Sequence, residues 1–114
     1  IYNQAEALFL ELMKDPFFRN KSITLVGHSI GASLASYVAL KHQIKAVGFN
    51  SLALGAGIQN EVGEDNLFQA DRYVTHISVA YDAPSDFPGV QYIDRCLSFA
   101  GVRTPGNFGR HYLI

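Results

Sequence analysis

Apolar side chains fall at Ala5, Leu8, Phe9, Leu12 and Met13 within residues 3–14, the spacing of one helical face, and Pro16 lies just beyond. The pattern predicts an amphipathic helix packed on a sheet. Residues 15–21 read as a connecting loop whose Phe17 and Phe18 cover the helix end. The apolar run around Ile23-Thr24-Leu25-Val26 then predicts a fully buried strand over residues 22–26, and a small-residue helix follows over 31–41. Residues 44–49 form a second strand candidate with Asn50-Ser51 at its exit. Glycines and small residues dominate 52–63, which predicts an irregular surface loop before a short amphipathic helix around 65–71. Residues 73–80 alternate and are rich in β-branched side chains, giving a third strand that ends just before Tyr81-Asp82.

Helices and strands therefore alternate, which implies an α/β fold with right-handed crossovers and a parallel sheet covered by helices on both faces. After Asp82 the sequence is broken by Pro84, Pro88, Gly89, Gly101, Pro105, Gly106 and Gly109. Only residues 91–99 look regular there, and the pattern does not choose between strand and helix.

Composition narrows the class. The chain has 114 residues, a formal charge of -1 and 48% hydrophobic residues, values expected of one soluble globular domain with a real core. No basic stretch tracks a phosphate backbone, so nucleic acid is not an expected partner. No apolar run approaches the ~20 residues of a transmembrane helix. The single cysteine, Cys96, excludes a disulfide within the chain and a cysteine-based zinc site. The first residue is Ile1 and no charged-then-apolar leader precedes the first helix, so the sequence reads as a piece of something longer. Compartment stays undecided, and a soluble, secreted protein is compatible with the composition.

The candidate chemistry lies at Gly27-His28-Ser29-Ile30-Gly31, between the first predicted strand and the small-residue helix. This is the pattern of a nucleophile elbow. A serine on so sharp a turn is strained, and glycine-sized residues two places before and after it avoid collision, which assigns that role to Gly27 and Gly31. The turn points the hydroxyl outward, and the helix N-terminus supplies positive potential and a backbone N–H for an oxyanion. Ala32, Ala35 and Ala39 allow that helix to lie close to a sheet.

A serine needs a histidine to take its proton and an acid to orient that histidine. In parallel sheets such groups collect at the carboxyl ends of strands. Asp82 directly follows the third strand and leads as the acid; Asp86, in a proline-flanked loop, is its rival, and Asp94 lies inside the last regular segment. Among the histidines, His28 adjoins the nucleophile and is expected to pack or hydrogen-bond beneath the elbow. His42 ends a helix, His76 sits within a strand, and His111 stands in the glycine-containing stretch from Gly106 onward. His111 is the expected general base.

These residues resemble the class 3 lipases of the α/β-hydrolase fold, and within them the bacterial phospholipase A-like members. The resemblance rests on Ile23 through Ser36, on Ala46-Val47-Gly48-Phe49-Asn50 and on Asp82-Ala83-Pro84-Ser85-Asp86-Phe87-Pro88. It implies Ser29 as nucleophile, Asp82 as acid, His111 as base and the Ile30 N–H as an oxyanion donor. It also implies that residues 1–114 are the C-terminal part of a single, partial α/β-hydrolase domain. Gly31-Ala32 stands where the family usually has two glycines. The family's strands before the nucleophile strand, and the loop giving a second oxyanion donor, have no counterpart here. Removing one oxyanion donor typically costs ~10²–10³ in rate, so weak activity is expected unless a partner segment completes the site. The exposed sheet edge left by those strands would favour pairing with another chain.

The function expected is a serine carboxylic-ester hydrolase acting on lipid or other acyl esters, with peripheral membrane contact where the substrate is a lipid. Ile30, Leu52, Leu54, Phe68 and Phe87 are candidates to line an acyl site. An acyltransferase, thioesterase or peptidase would use the same triad. A non-catalytic hydrolase-like binding module or remnant is the alternative of a different class. No cofactor is required by the chemistry, and no metal site is expected, since the acidic group Glu61, Glu64 and Asp65 lacks the spacing of a calcium loop.

Overall fold

The computed structural model describes residues 1–78 and 108–114. Four strands, β1 (Thr24–His28), β2 (Lys45–Phe49), β3 (Val74–Ser78) and β4 (Arg110–Leu113), form one sheet in the order β1-β2-β3-β4. Every neighbouring pair is parallel. The interleaved helices are α1 (Tyr2–Met13), α2 (Pro16–Arg19), α3 (Ile30–His42), α4 (Ala56–Val62), α5 (Glu64–Phe68) and α6 (Ala70–Tyr73). The α/β class and the parallel sheet expected from the alternating pattern are both present.

Helix α3 organises the core. Its residues from Ala32 to Leu40, Leu34 excepted, are buried, so it is enclosed on nearly all sides. Its small side chains let it lie on the backbones of β1 and β2: a Cβ at Gly48 would come within 2.9 Å of the Ala32 Cβ. Tyr37 and Leu40, with Val74 from β3, are the largest fully buried side chains. Helix α1 packs on α3 rather than on the sheet, through Phe9 and through Tyr2, whose ring meets Tyr37 edge-on at 5.2 Å. Leu8 and Leu12 of the predicted apolar face remain exposed, at 63% and 40%.

Three further expectations are corrected. Strand β1 is not fully buried: its exposure alternates, and Val26 is 66% exposed. Parallel strands usually read as apolar runs because both faces are covered. Here, among the described residues, the helices that pack on the sheet lie on the side of Leu25, Gly27, Ala46, Gly48, Val74 and His76. The opposite side carries Val26, His28 and Phe49, all exposed. Second, the predicted loop at 52–63 contains α4, entered from Gly55 in an extended conformation and closed by Gly63 at φ +91. Third, the expected loop around His111 is strand β4. In the segment read as the first connecting loop, Pro16 opens α2 instead of merely ending α1, because Asp15 accepts a hydrogen bond from the Phe17 N–H as its cap. Phe18 is half-buried there, whereas Phe17 is 62% exposed and covers little. The regular segment 91–99 and Cys96 lie outside the described residues.

Candidate active site

Ser29 is the single residue between β1 and α3. It has φ 57 and ψ -120, a left-handed conformation that a residue with a Cβ adopts only under constraint, at a cost of about 1–3 kcal/mol. The constraints are visible. Its N–H donates to the Phe49 carbonyl at 2.9 Å, extending the β1–β2 ladder, and its own carbonyl accepts from the Ala32 N–H at 3.1 Å. The first turn of α3 folds back over β1 so tightly that a Cβ at Gly27 would collide with the Gly31 carbonyl and sit 2.6 Å from the Ala32 nitrogen. Gly31 itself would place a Cβ in open space. Close packing thus requires glycine at 27 and not at 31, half of what the motif suggested.

A serine before a helix ordinarily caps it by accepting a backbone N–H. Ser29 makes no such bond, so helix capping does not occupy its hydroxyl. Beside it, Ile30 is the first residue of α3, and its N–H is among the helix donors that have no intrahelical acceptor. The helix dipole adds positive potential at this end. The described serines Ser33, Ser36 and Ser51 differ from Ser29: each is buried, and each hydroxyl is engaged, with the Leu52 carbonyl, the Ala32 carbonyl and the His76 ring respectively.

The four histidines are all within the described residues, and apart from His28, its neighbour in sequence, none is brought to Ser29. His28 is exposed on the open side of the sheet instead of tucked beneath the elbow. His42 contacts the Glu6 carboxylate at 2.8 Å at the end of α3. His76 is 3% exposed, with Nδ1 2.6 Å from the Ser51 hydroxyl and Nε2 2.7 Å from the Phe108 carbonyl. His111 pairs with His76 across β3 and β4, and their rings stack at 4.8 Å. Three strand spacings separate β4 from β1, about 14 Å, and the register sets His111 level with Gly27 rather than Ser29. An imidazole does not span that gap. Asp82 and Asp86 lie outside the described residues.

Of the proposed acyl-site residues, Ile30 stands beside Ser29 and is 48% exposed, and Leu52 is held to α3 by the Ser33 hydroxyl. Leu54 is a core residue and Phe68, at the end of α5, is 92% exposed. Phe87 is outside the described residues. An apolar groove of roughly 340 Å³ runs beside β1, lined by Leu8, Phe18, Val26, Gly31 and Leu34 among others, but Ser29 does not line it. Glu61 bonds the Tyr37 hydroxyl at 2.9 Å, and no group of three metal-ligating side chains stands together among the described residues.

Two polar contacts next to the elbow, Ser33 with Leu52 and Ser51 with His76, carried no sequence signal. Each joins residues 19 or 25 positions apart.

No protein-family model matches the chain, and no curated protein matches its sequence. What stands is a parallel α/β sheet with a strained serine at the carboxyl end of its first strand.

Proposed function

We propose that Ser29 is the nucleophile of a serine carboxylic-ester hydrolase, of the lipase and phospholipase type that the elbow sequence resembles, acting on lipid or other acyl esters. The observation that carries this reading is the left-handed backbone of Ser29 between a parallel strand and a helix, with its hydroxyl not spent on capping. Strain of this kind persists only where the surrounding structure holds it, and it clusters at active sites. In the reaction the Ser29 oxygen attacks the ester carbonyl carbon and its proton passes to a general base. The carbonyl oxygen takes up the negative charge against the Ile30 N–H. Collapse expels the alcohol, which recovers the proton, and water then cleaves the acyl-enzyme by the same steps. The sequence order offers His111 as that base and Asp82, with Asp86 the rival, as its orienting acid, although β4 sets His111 three strand spacings, about 14 Å, from the strand that carries Ser29.

A second reading, a non-catalytic hydrolase-like module, is favoured by the position of His111, three strands away from Ser29, and by the placement of His28 on the open side of the sheet. Covalent labelling by a fluorophosphonate, read by intact mass and peptide mapping, separates the two. Label confined to Ser29 and lost in Ser29→Ala is the expected result. A folded sample that takes no label would sink the hydrolase reading for this chain. His111→Ala then tests the base: labelling slowed by about 10²-fold or more assigns the proton acceptor to His111. An unchanged rate removes that role, as the position of β4 leads one to expect.

A further inference from the structure

The strain at Ser29 is held by what Ser29 is bonded to, and the most direct restraint is the Phe49 carbonyl on its N–H. Immediately after Phe49 the chain turns at Asn50, which is also left-handed, with φ 50, and whose N–H is held by the Ile77 carbonyl at 2.9 Å. The next residue, Ser51, is 6% exposed and its hydroxyl meets Nδ1 of the buried His76 at 2.6 Å. Leu52 is tied back to α3 by the Ser33 hydroxyl at 2.6 Å. The turn against which the elbow hangs is therefore pinned to β3, to α3 and to one imidazole.

One end of that imidazole is assigned by its partner. A carbonyl only accepts, so the 2.7 Å contact with Phe108 places a proton on Nε2. In the neutral ring Nδ1 then accepts from the Ser51 hydroxyl. The pair lies where a side chain at 48 would go, since a Cβ at Gly48 would meet the Ser51 oxygen and lie 3.2 Å from His76 Nδ1. Sealed in this way, Ser51 does not meet an ester, despite its short bond to a histidine.

We propose that Ser51 and His76 are positioning residues for Ser29: they fix the turn that holds the elbow and so aim the Ser29 hydroxyl and the Ile30 N–H. This rests on the reading of Ser29 as a nucleophile. The test measures fluorophosphonate inactivation as separate binding and bond-forming constants, alongside the denaturant midpoint. Ser51→Ala removes the donor to Nδ1. His76→Gln keeps the bond to Phe108 and loses the one to Ser51, while His76→Asn keeps an acceptor for Ser51. Misdirected reacting groups lose rate steeply, so Ser51→Ala and His76→Gln are expected to slow bond formation about tenfold or more with binding unchanged. The double variant is expected to add nothing further, and His76→Asn to recover most of the rate.

Folded variants that form the bond at the wild-type rate would overturn the positioning role while leaving the nucleophile intact. A wild-type chain unlabelled at Ser29 would overturn both. If a variant does not fold, nitrogen chemical shifts of the wild-type histidines decide: His76 protonated on Nε2 is expected, and a ring without that proton, which reverses the Ser51 bond and forfeits the one to Phe108, overturns the arrangement.

Discussion

At the scale of single residues, the elbow divides its glycines by what lies over them. Gly27 is covered by the backbone of α3, and backbone does not yield as the end of a side chain does. Gly31 faces open space within a helix, where glycine is less favourable than alanine by roughly 1 kcal/mol. Two substitutions of the same chemistry should therefore have opposite signs. Gly27→Ala is expected to cost about 3 kcal/mol or more and to abolish labelling of Ser29, since α3 must lift off β1. Gly31→Ala is expected to leave stability unchanged or raise it by up to about 1 kcal/mol, with Ser29 still reactive. Urea midpoints at constant slope measure both. A tolerated Gly27→Ala would mean that the tight crossing of β1 and α3 is not needed.

At the scale of elements, α1 and α4 are tied to α3 by one chain of polar contacts. Lys41 reaches the Glu6 carboxylate at 3.0 Å and the Tyr37 hydroxyl at 3.3 Å, His42 shares Glu6, and Tyr37 donates to Glu61. The Lys41 ammonium, opposed by burial and helped by His42, holds the Glu6 carboxyl below its ordinary value. Glu6 in turn raises Lys41, and burial raises Tyr37. A depressed carboxyl contributes stability above its unfolded pKa and loses it as pH falls through the lower folded value. The raised Lys41 and Tyr37 contribute below their unfolded values and lose that stability as pH rises through the folded ones. The clamp on α1 is thus strongest between the carboxylate and the lysine and tyrosine ranges. Glu6→Gln is expected to cost about 1–2 kcal/mol near neutrality and to converge with the wild type in acid, measured as thermal midpoint against pH. A gap that is constant down to pH ~2 would show that the Glu6 charge is not what holds the clamp.

Why some of these elements were legible and others not follows from what forms them. Helix α1 and strand β3 carry their own periodicity, β1 and β2 read as apolar runs, and α3 as a stretch of small residues after the elbow; all fell within a few residues of the pattern. Helix α4 is short and enclosed by glycines, yet Ile58 and Val62 stand four apart and both touch the core, a signal outweighed by Gly55, Gly57 and Gly63. Strand β4 is four residues long and exists by pairing with β3, which no local pattern encodes. The site divides the same way. Ser29 was readable because a strand, a turn and a helix are contiguous in sequence. The Ser51–His76 pair, and the displacement of His111 from Ser29, depend on register between distant strands.

At the scale of the whole molecule, the sheet is dressed unevenly among the described residues. Its covered side meets α3, whereas Val26, Phe49 and Tyr112 on the other are 66%, 39% and 55% exposed. Val26 lies on β1, at the end of the strand order, so among the described residues one row of its backbone donors and acceptors has no strand beside it. The apolar groove with Leu8, Phe18 and Leu34 runs along the same edge. An edge strand flanked by apolar surface is a template for pairing with another chain, and natural edges blunt that tendency with charge. None of Thr24, Leu25, Val26 and Gly27 is charged. The chain is therefore expected to self-associate reversibly in a concentration-dependent manner and to bind an apolar dye. Val26→Lys, which leaves the covered side untouched, should weaken both without lowering stability by more than about 0.5 kcal/mol. Sedimentation velocity over a wide concentration range provides the comparison. A monomer at every concentration, with Val26→Lys indistinguishable from it, would mean that the β1 edge is already protected.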